Sequence, residues 1–180
     1  MDGDGEQEVV VETWNYKLYI LDATSGEYEW HYNTDYYFVS PPIVANIDED
    51  EGQEVVFGSG GRVYALNGDT QDELWTVTTG GYNTWQAMAD VDNDGKQEII
   101  GVNKNGIFAL NAEDGSVLWQ KDYTTRFSPT IADFDNDFDL EVAFGTWYLG
   151  GGHNRVYVLN ATTGDLEWYK NLDEHKPGGI

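Results

Sequence analysis

The sequence predicts an all-β fold, a β-propeller of four blades, on three observations. Four copies of one unit run through the 180 residues. Each copy divides into four short strand-like runs separated by polar or glycine-containing turns, and four antiparallel strands in about 44 residues is the size of one propeller blade. Composition agrees: 21 Gly, seven Trp and twelve Tyr, with no long apolar run, suit many short strands and turns rather than helices.

The repeat is set by two rulers. Glu8, Glu54, Glu98 and Glu141 each open a run of apolar residues, at intervals of 46, 44 and 43. Trp30, Trp75, Trp119 and Trp168 follow at intervals of 45, 44 and 49. Each unit begins with a short strand such as 128–132, then an acidic loop, then a second strand such as 54–58. That second strand is apolar on consecutive residues because blades pack on both faces. The third strands match best: Leu18-Tyr-Ile-Leu-Asp22, Val63-Tyr-Ala-Leu-Asn67, Ile107-Phe-Ala-Leu-Asn111 and Val156-Tyr-Val-Leu-Asn160. A polar turn leads to the outer strand with its Trp, which reads as a wedge between neighbouring blades.

The expected organisation is one domain over 1–180, with repeats at about 1–37, 38–81, 82–124 and 125–180. The chain opens in the loop before a second strand and ends at Lys176-Pro-Gly-Gly-Ile180, where a first strand would lie. This offset predicts that the last segment completes the first blade. Pairing of the N- and C-terminal strands would then close the ring and remove exposed edges. Two copies in an eight-bladed ring, a filament, or an excerpt of a longer array stay open as alternatives.

The acidic loops carry the chemistry. The clearest is Asp90-Val-Asp92-Asn-Asp94-Gly95-Lys96-Gln-Glu98, with carboxylates at positions 1, 3, 5 and 9 and Gly at the sharp turn. Calcium takes six to eight oxygens in a flexible shell, which alternating acids in a curled loop supply, with the Lys96 carbonyl as a backbone ligand. A second copy offers Asn46, Asp48, Asp50, Gly52 and Glu54, and a third offers Asp133, Asp135, Asp137, Asp139 and Glu141. The first copy offers Asp2, Asp4, Glu6 and Glu8 and lacks the position 1 ligand. Three to four Ca2+ sites are expected. An EF-hand would need Glu at position 12, and that position holds Val11, Phe57, Gly101 or Phe144.

These residues carry a double resemblance spanning essentially the whole chain. The acidic loop followed by Phe57-Gly58 or Phe144-Gly145 resembles the FG-GAP repeats of integrin-type propellers, which implies calcium in the loops. The segment Val156-Tyr-Val-Leu-Asn-Ala-Thr-Thr-Gly-Asp-Leu-Glu-Trp168 resembles the repeats of quinoprotein (PQQ-like) propellers. Both imply propeller architecture. The second also raises a quinone-dependent dehydrogenase, but the chain lacks the vicinal cysteines of those enzymes, and four repeats leave little room for their cofactor.

Charge and motifs bound the function. A formal net charge of −24, with only nine Lys and Arg, excludes nucleic acid and anionic membrane surfaces as partners. Crowded acids call for a cation to offset their repulsion. There is no cysteine, hence no thiolate site or disulfide, and the sequence contains no signal peptide or membrane-spanning run. His31, His153 and His175 are not at metal-ligand spacing, and no nucleophile elbow, phosphate loop or dinucleotide fingerprint occurs. Trp14, Trp85, Trp147 and Tyr148 break the repeat pattern, on the face opposite the acidic loops, and suit carbohydrate stacking or a protein contact. Asn160-Ala-Thr162 is a formal glycosylation sequon, although the repeat's ordinary turn explains it. The reading is a non-catalytic, calcium-binding propeller at the cell surface or outside the cell, serving adhesion, scaffolding or recognition. Its partner would be a glycan or a protein. The alternative is a structural subunit that self-associates through calcium into a filament or layer.

Overall fold

The computed structural model describes residues 5–36, 40–48, 50, 52–81, 83–123, 125, 127–146 and 154–172, with backbone only at 83–85. The apolar runs and turns become fifteen strands: β1 (Glu8–Thr13), β2 (Lys17–Asp22), β3 (Tyr28–Asn33), β4 (Ile43–Ala45), β5 (Glu54–Ser59), β6 (Arg62–Asn67), β7 (Glu73–Thr78), β8 (Asn83–Ala89), β9 (Glu98–Asn103), β10 (Gly106–Asn111), β11 (Val117–Lys121), β12 (Thr130–Ala132), β13 (Glu141–Thr146), β14 (Arg155–Asn160) and β15 (Leu166–Asn171). They form four antiparallel sheets in chain order. The first has three strands, β1-β2-β3, and the others four: β4 to β7, β8 to β11 and β12 to β15.

Because side chains alternate across a strand, each blade presents one row to the blade before it and another to the blade after. Val55 and Phe57 of β5, with Tyr64 and Leu66 of β6, pack on Leu18, Ile20 and Trp30 of the first blade. The alternate residues Val56, Val63 and Ala65 pack on Ile99, Phe108 and Leu110 of the third. Ile100, Val102, Ile107, Ala109 and Trp119 meet Val142, Phe144 and Leu159 of the fourth. This is why β5 and β9 are buried along their whole length: both faces are interior. Among the described residues each of these clusters joins neighbouring blades, and none contains residues of both the first and the fourth.

The repeated Trp holds its position by three devices. It pairs across the ladder with the third strand (Ile20, Ala65, Ala109 and Val158), and the register shifts at the next step in every blade. A bulge there adds local twist at the residue that must reach the neighbour. Trp75 Nε1 then donates to the Ala112 carbonyl at 3.0 Å, and Trp119 Nε1 to the Ala161 carbonyl at 2.9 Å. Finally, the rings of Trp75 and Trp119 lie where a Cβ on Gly115 or Gly164 would stand, 2.7 Å and 2.6 Å from the nearest ring atom. Both glycines also have positive φ, 71° and 68°, so only glycine gives the turn and the room together. In the second blade Gln71 takes the same left-handed conformation, φ 65°, and Trp30 Nε1 is buried without an acceptor among the described residues.

The strand expectations hold, with one difference of extent. Trp85, expected among the pattern-breaking residues of the face opposite the acidic loops, belongs to β8 and pairs with Val102. A register shift between Asn83 and Trp85 carries the strand beyond the length of β4 and β12. Residues 173–180, expected to complete the first blade, lie outside the described residues, as do Trp147, Tyr148, His153, His175, Asp2 and Asp4.

Candidate metal centres

The acidic loops sit between the first and second strands of each blade, and a repeated backbone bond gathers a second loop beside them. The turn after the third strand donates to the acidic loop in every blade: Ala23 N to Gln7 O (2.8 Å), Gly68 N to Gln53 O (3.1 Å), Ala112 N to Gln97 O (3.0 Å) and Ala161 N to Leu140 O (2.8 Å). The two loops therefore share one rim. Asp22, Asn67 and Asn160 cap their turns by accepting backbone N–H bonds two or three residues on, an Asx turn. Thr162 Oγ1 meanwhile donates to the Val91 carbonyl at 2.5 Å. The Asn160 sequon is thus built into the repeat's turn.

Within each loop the carboxylates organise the backbone. In the third blade Asp90 Oδ2 accepts Gly95 N (3.0 Å), Asp92 Oδ1 accepts Asp94 N (3.2 Å) and Asp94 Oδ1 accepts Lys96 N (2.8 Å). Gly95 has φ 90°, which opens the sharp turn. The fourth blade repeats this with Phe138 in the glycine's place: φ is 77°, its N–H reaches Asp133 Oδ2 at 3.1 Å, and its ring is 86% exposed. The loop geometry overrides the side-chain preference, and the ring goes to solvent. In the second blade Asp48 Oδ1 accepts Asp50 N (2.9 Å), and Asp50 Oδ1 accepts Gly52 N (2.6 Å).

Among the described residues three groups of carboxylate oxygens result, each with one atom per residue within 4.8 Å of the others: Asp48, Asp50 and Glu54; Asp90, Asp92 and Asp94; Asp133, Asp135 and Glu141. They fall in three of the four loops that the spacing singles out; Asp2 and Asp4 of the remaining one lie outside the described residues. Asp137 and Asp139 do not enter the fourth-blade group: Asp137 Oδ1 accepts Asp139 N at 2.9 Å. Lys96 turns its ammonium to Glu113. Asn46 Nδ2 donates to the Asp50 carbonyl at 2.6 Å. In the first blade, Glu6 is exposed and Glu8 half-buried.

The position 9 glutamates do more than the spacing suggests. Glu54, Glu98 and Glu141 are buried, and each accepts the backbone N–H at position 2 of its own loop: Ile47 (2.9 Å), Val91 (2.8 Å) and Phe134 (2.7 Å). Each clamps its loop with Oε2. Glu54 Oε1 and Asp90 Oδ1 are buried without a hydrogen-bond partner among the described residues. Burial pushes the carboxyls of Glu54 and Glu141 up, and nearby aspartates add to the effect. Glu98 is pushed up to about 7 by burial, reinforced by Asp92, Asp94 and Asp90 and opposed by the Val91 N–H. Orphaned anionic oxygens beside like charges fit a hard divalent ion. Such an ion would be held by these three oxygen groups and would neutralise them.

One contributor escaped the sequence reading. A Cβ on Gly52 would lie 2.9 Å from Asp50 Oδ1 and 3.3 Å from Asp69 Oδ2, so Asp69, in the turn after β6, stands beside the second-blade group without entering it, and its charge adds to the upward push on Glu54. The shared rim of the two loops is the signal that could have found it. On the opposite side of the blades, Trp14 is 83% exposed, in the hairpin between β1 and β2.

Fold and site together define a β-propeller array with an acidic, metal-suited rim. The chain belongs to the PQQ-like repeat family described as outer membrane protein assembly factor BamB, whose model matches residues 3–126 and again 49–179. No curated protein matches the sequence. Among solved structures, BamB from Moraxella catarrhalis is similar at 19% identity with a TM-score of 0.63, over 94% of this chain and 48% of that one. The V. cholerae biofilm matrix protein Bap1 is similar at 20% identity with a TM-score of 0.72, over 94% and 27%. The quinohemoprotein alcohol dehydrogenase ADHIIG from Pseudomonas putida is similar at 19% identity with a TM-score of 0.65, over 92% and 33%. The chain spans about half the length of the BamB it matches, and less of the other two.

Proposed function

We propose that the chain is a non-catalytic, calcium-binding propeller module that works outside the cytoplasm in adhesion, scaffolding or recognition. The observation that carries this reading is the threefold carboxylate cluster with buried, unpartnered oxygens at Glu54 and Asp90. The likeness of these loops to FG-GAP repeats supports calcium as the ion. A neighbour named as a biofilm matrix protein and a family described by an outer membrane assembly factor support the location and the role. The dehydrogenase neighbour shares the blade architecture, and quinone chemistry has no residue of this chain to recommend it.

Calorimetric titration tests the metal directly. Calcium is expected to bind at three or four sites with dissociation constants in the roughly micromolar to millimolar range of extracellular modules, and Asp92→Ala should remove one site. Absence of binding heat up to several millimolar calcium would end the reading. For recognition, Trp14 on the exposed hairpin is the accessible probe. Binding to a glycan array is expected to fall at least tenfold on Trp14→Ala, since one aromatic platform carries much of such an interface. An array without any binder removes carbohydrate as the partner.

A further inference from the structure

The turn after the third strand meets the acidic loop differently from blade to blade. In the third blade Lys96, at position 7 of the loop, gives its ammonium to Glu113, two residues after Asn111. In the fourth blade Thr162 holds that turn position and donates to the Val91 carbonyl, and the first blade has Thr24 there. The second blade places Gly52 and Asp69 at the two positions of Lys96 and Glu113. It keeps the turn carboxylate and has no lysine opposite it.

The backbone does not require a glycine at 52. Gly5 and Gly95, one position earlier in their loops, have φ 88° and 90°, and a Cβ on either would meet nothing within 4 Å. Gly52 has no such left-handed φ, and a Cβ on it would stand 2.9 Å from Asp50 Oδ1 and 3.3 Å from Asp69 Oδ2. Its contribution is room between two carboxylates. Asn67 ties both sides of that gap together: its Nδ2 donates to Asp50 Oδ2 at 3.3 Å, and its Oδ1 accepts the Asp69 N–H at 3.0 Å. Two further observations bear on what the gap takes. Glu54, grouped with Asp48 and Asp50, is fully buried, and its Oε1 has no hydrogen-bond partner among the described residues. That is costly for an anion unless a cation meets it. The second loop is also one acid short, since Asn46 stands where Asp90 and Asp133 open the third and fourth.

We propose that Asp69 is the fourth carboxylate of the second-blade cation site, reaching from the neighbouring turn to a divalent ion held by Asp48, Asp50 and Glu54. The inference rests on the metal reading above and extends it to a residue outside the acidic loops. The affinity of a calcium site follows the number of charged ligands it presents, and Asp69 restores the charge that Asn46 withholds. In the third blade the cation that meets the turn acid is the Lys96 ammonium. In the second, the side chain missing at Gly52 lets an ion from solution take that part.

The test is a calcium titration of the 180-residue chain followed by two-dimensional amide NMR, which reads the sites separately. The Asp50 amide reports on the second-blade group and the Asp94 amide on the third, since each donates to the position 3 carboxylate of its loop. Asp69→Asn should weaken binding at Asp50 by roughly tenfold or more and leave the titration at Asp94 little changed. Its side chain is exposed, so the fold is expected to survive, and the same spectra check that. Gly52→Lys, which imports the third blade's ammonium, should remove the calcium response at Asp50. Asp72→Asn lowers the charge of the same turn by as much and should change neither titration. An unchanged titration at Asp50 in Asp69→Asn or Gly52→Lys, or an equal loss in Asp72→Asn, would overturn the inference, and a calcium response at Asp94 would then leave the metal reading standing. No response at either amide would remove both.

Discussion

Chelating calcium is expected to lower the melting temperature by on the order of 10 °C. An ion that binds only the folded state stabilises it by mass action. At about ten times its dissociation constant, each site contributes roughly 1.4 kcal/mol, or about 4 kcal/mol for three sites. In a chain of this size 1 kcal/mol shifts the transition by about 2–4 °C. Asp92→Ala sharpens the test because its effect changes sign. With calcium it removes an oxygen from the group formed with Asp90 and Asp94, and should lose about a third of the shift. With chelator it relieves repulsion that helps to push the Glu98 carboxyl up, and should match or slightly exceed the wild type. Superimposable wild-type curves with and without calcium would show that the rim is stable as a set of bare carboxylates.

The second large effect is expected at Trp119. The ring is 8% exposed and belongs to the cluster that joins the third and fourth blades. It also covers Gly164 and bonds the Ala161 carbonyl. Trp119→Ala should cost about 3–5 kcal/mol, the range for deleting a buried aromatic. Trp119→Phe should cost less, since it keeps most of the apolar contact and loses one hydrogen bond of about 1 kcal/mol. Denaturant unfolding measures both. A single joint divides this core, so the alanine variant should also lose cooperativity, with the fourth blade melting ahead of the other three, as repeat arrays do when one interface weakens. A cost below about 1 kcal/mol for the alanine change would mean that the blades are not coupled through this ring.

Strand positions, the repeat and the acidic loops were legible in the sequence because they are set over a few residues. The run after Glu54 is apolar on both faces, the glycines punctuate the turns, and the one-three-five spacing of Asp90, Asp92 and Asp94 places their oxygens together in any tightly curled loop. The reading of Trp75 and Trp119 as wedges was available for the same reason: a large ring recurring once per blade needs a recurring place to go.

What spacing could not supply depends on parts of the chain that meet only after folding. Glu54, Glu98 and Glu141 looked like ligands alone. Their second role, clamping the N–H seven residues back, appears only when the strand after the loop folds against its start. Asp69 lies fifteen residues beyond Glu54 and comes to stand beside that group because β6 returns antiparallel to the shared rim. Trp85 belongs to β8 because a register shift, invisible in composition, accompanies the extension of that strand to Asn83.

The sequence by itself determined the blade: its strands, its outer Trp and its acidic loop, all fixed by alternation and turn chemistry within about 44 residues. Only the tertiary structure decided how blades meet. The rotation between sheets follows from side-chain packing across faces, which no local pattern encodes. That packing covers Trp75 and Trp119, places their indoles on the Ala112 and Ala161 carbonyls, and pairs Lys121 with Asp165 across the joint.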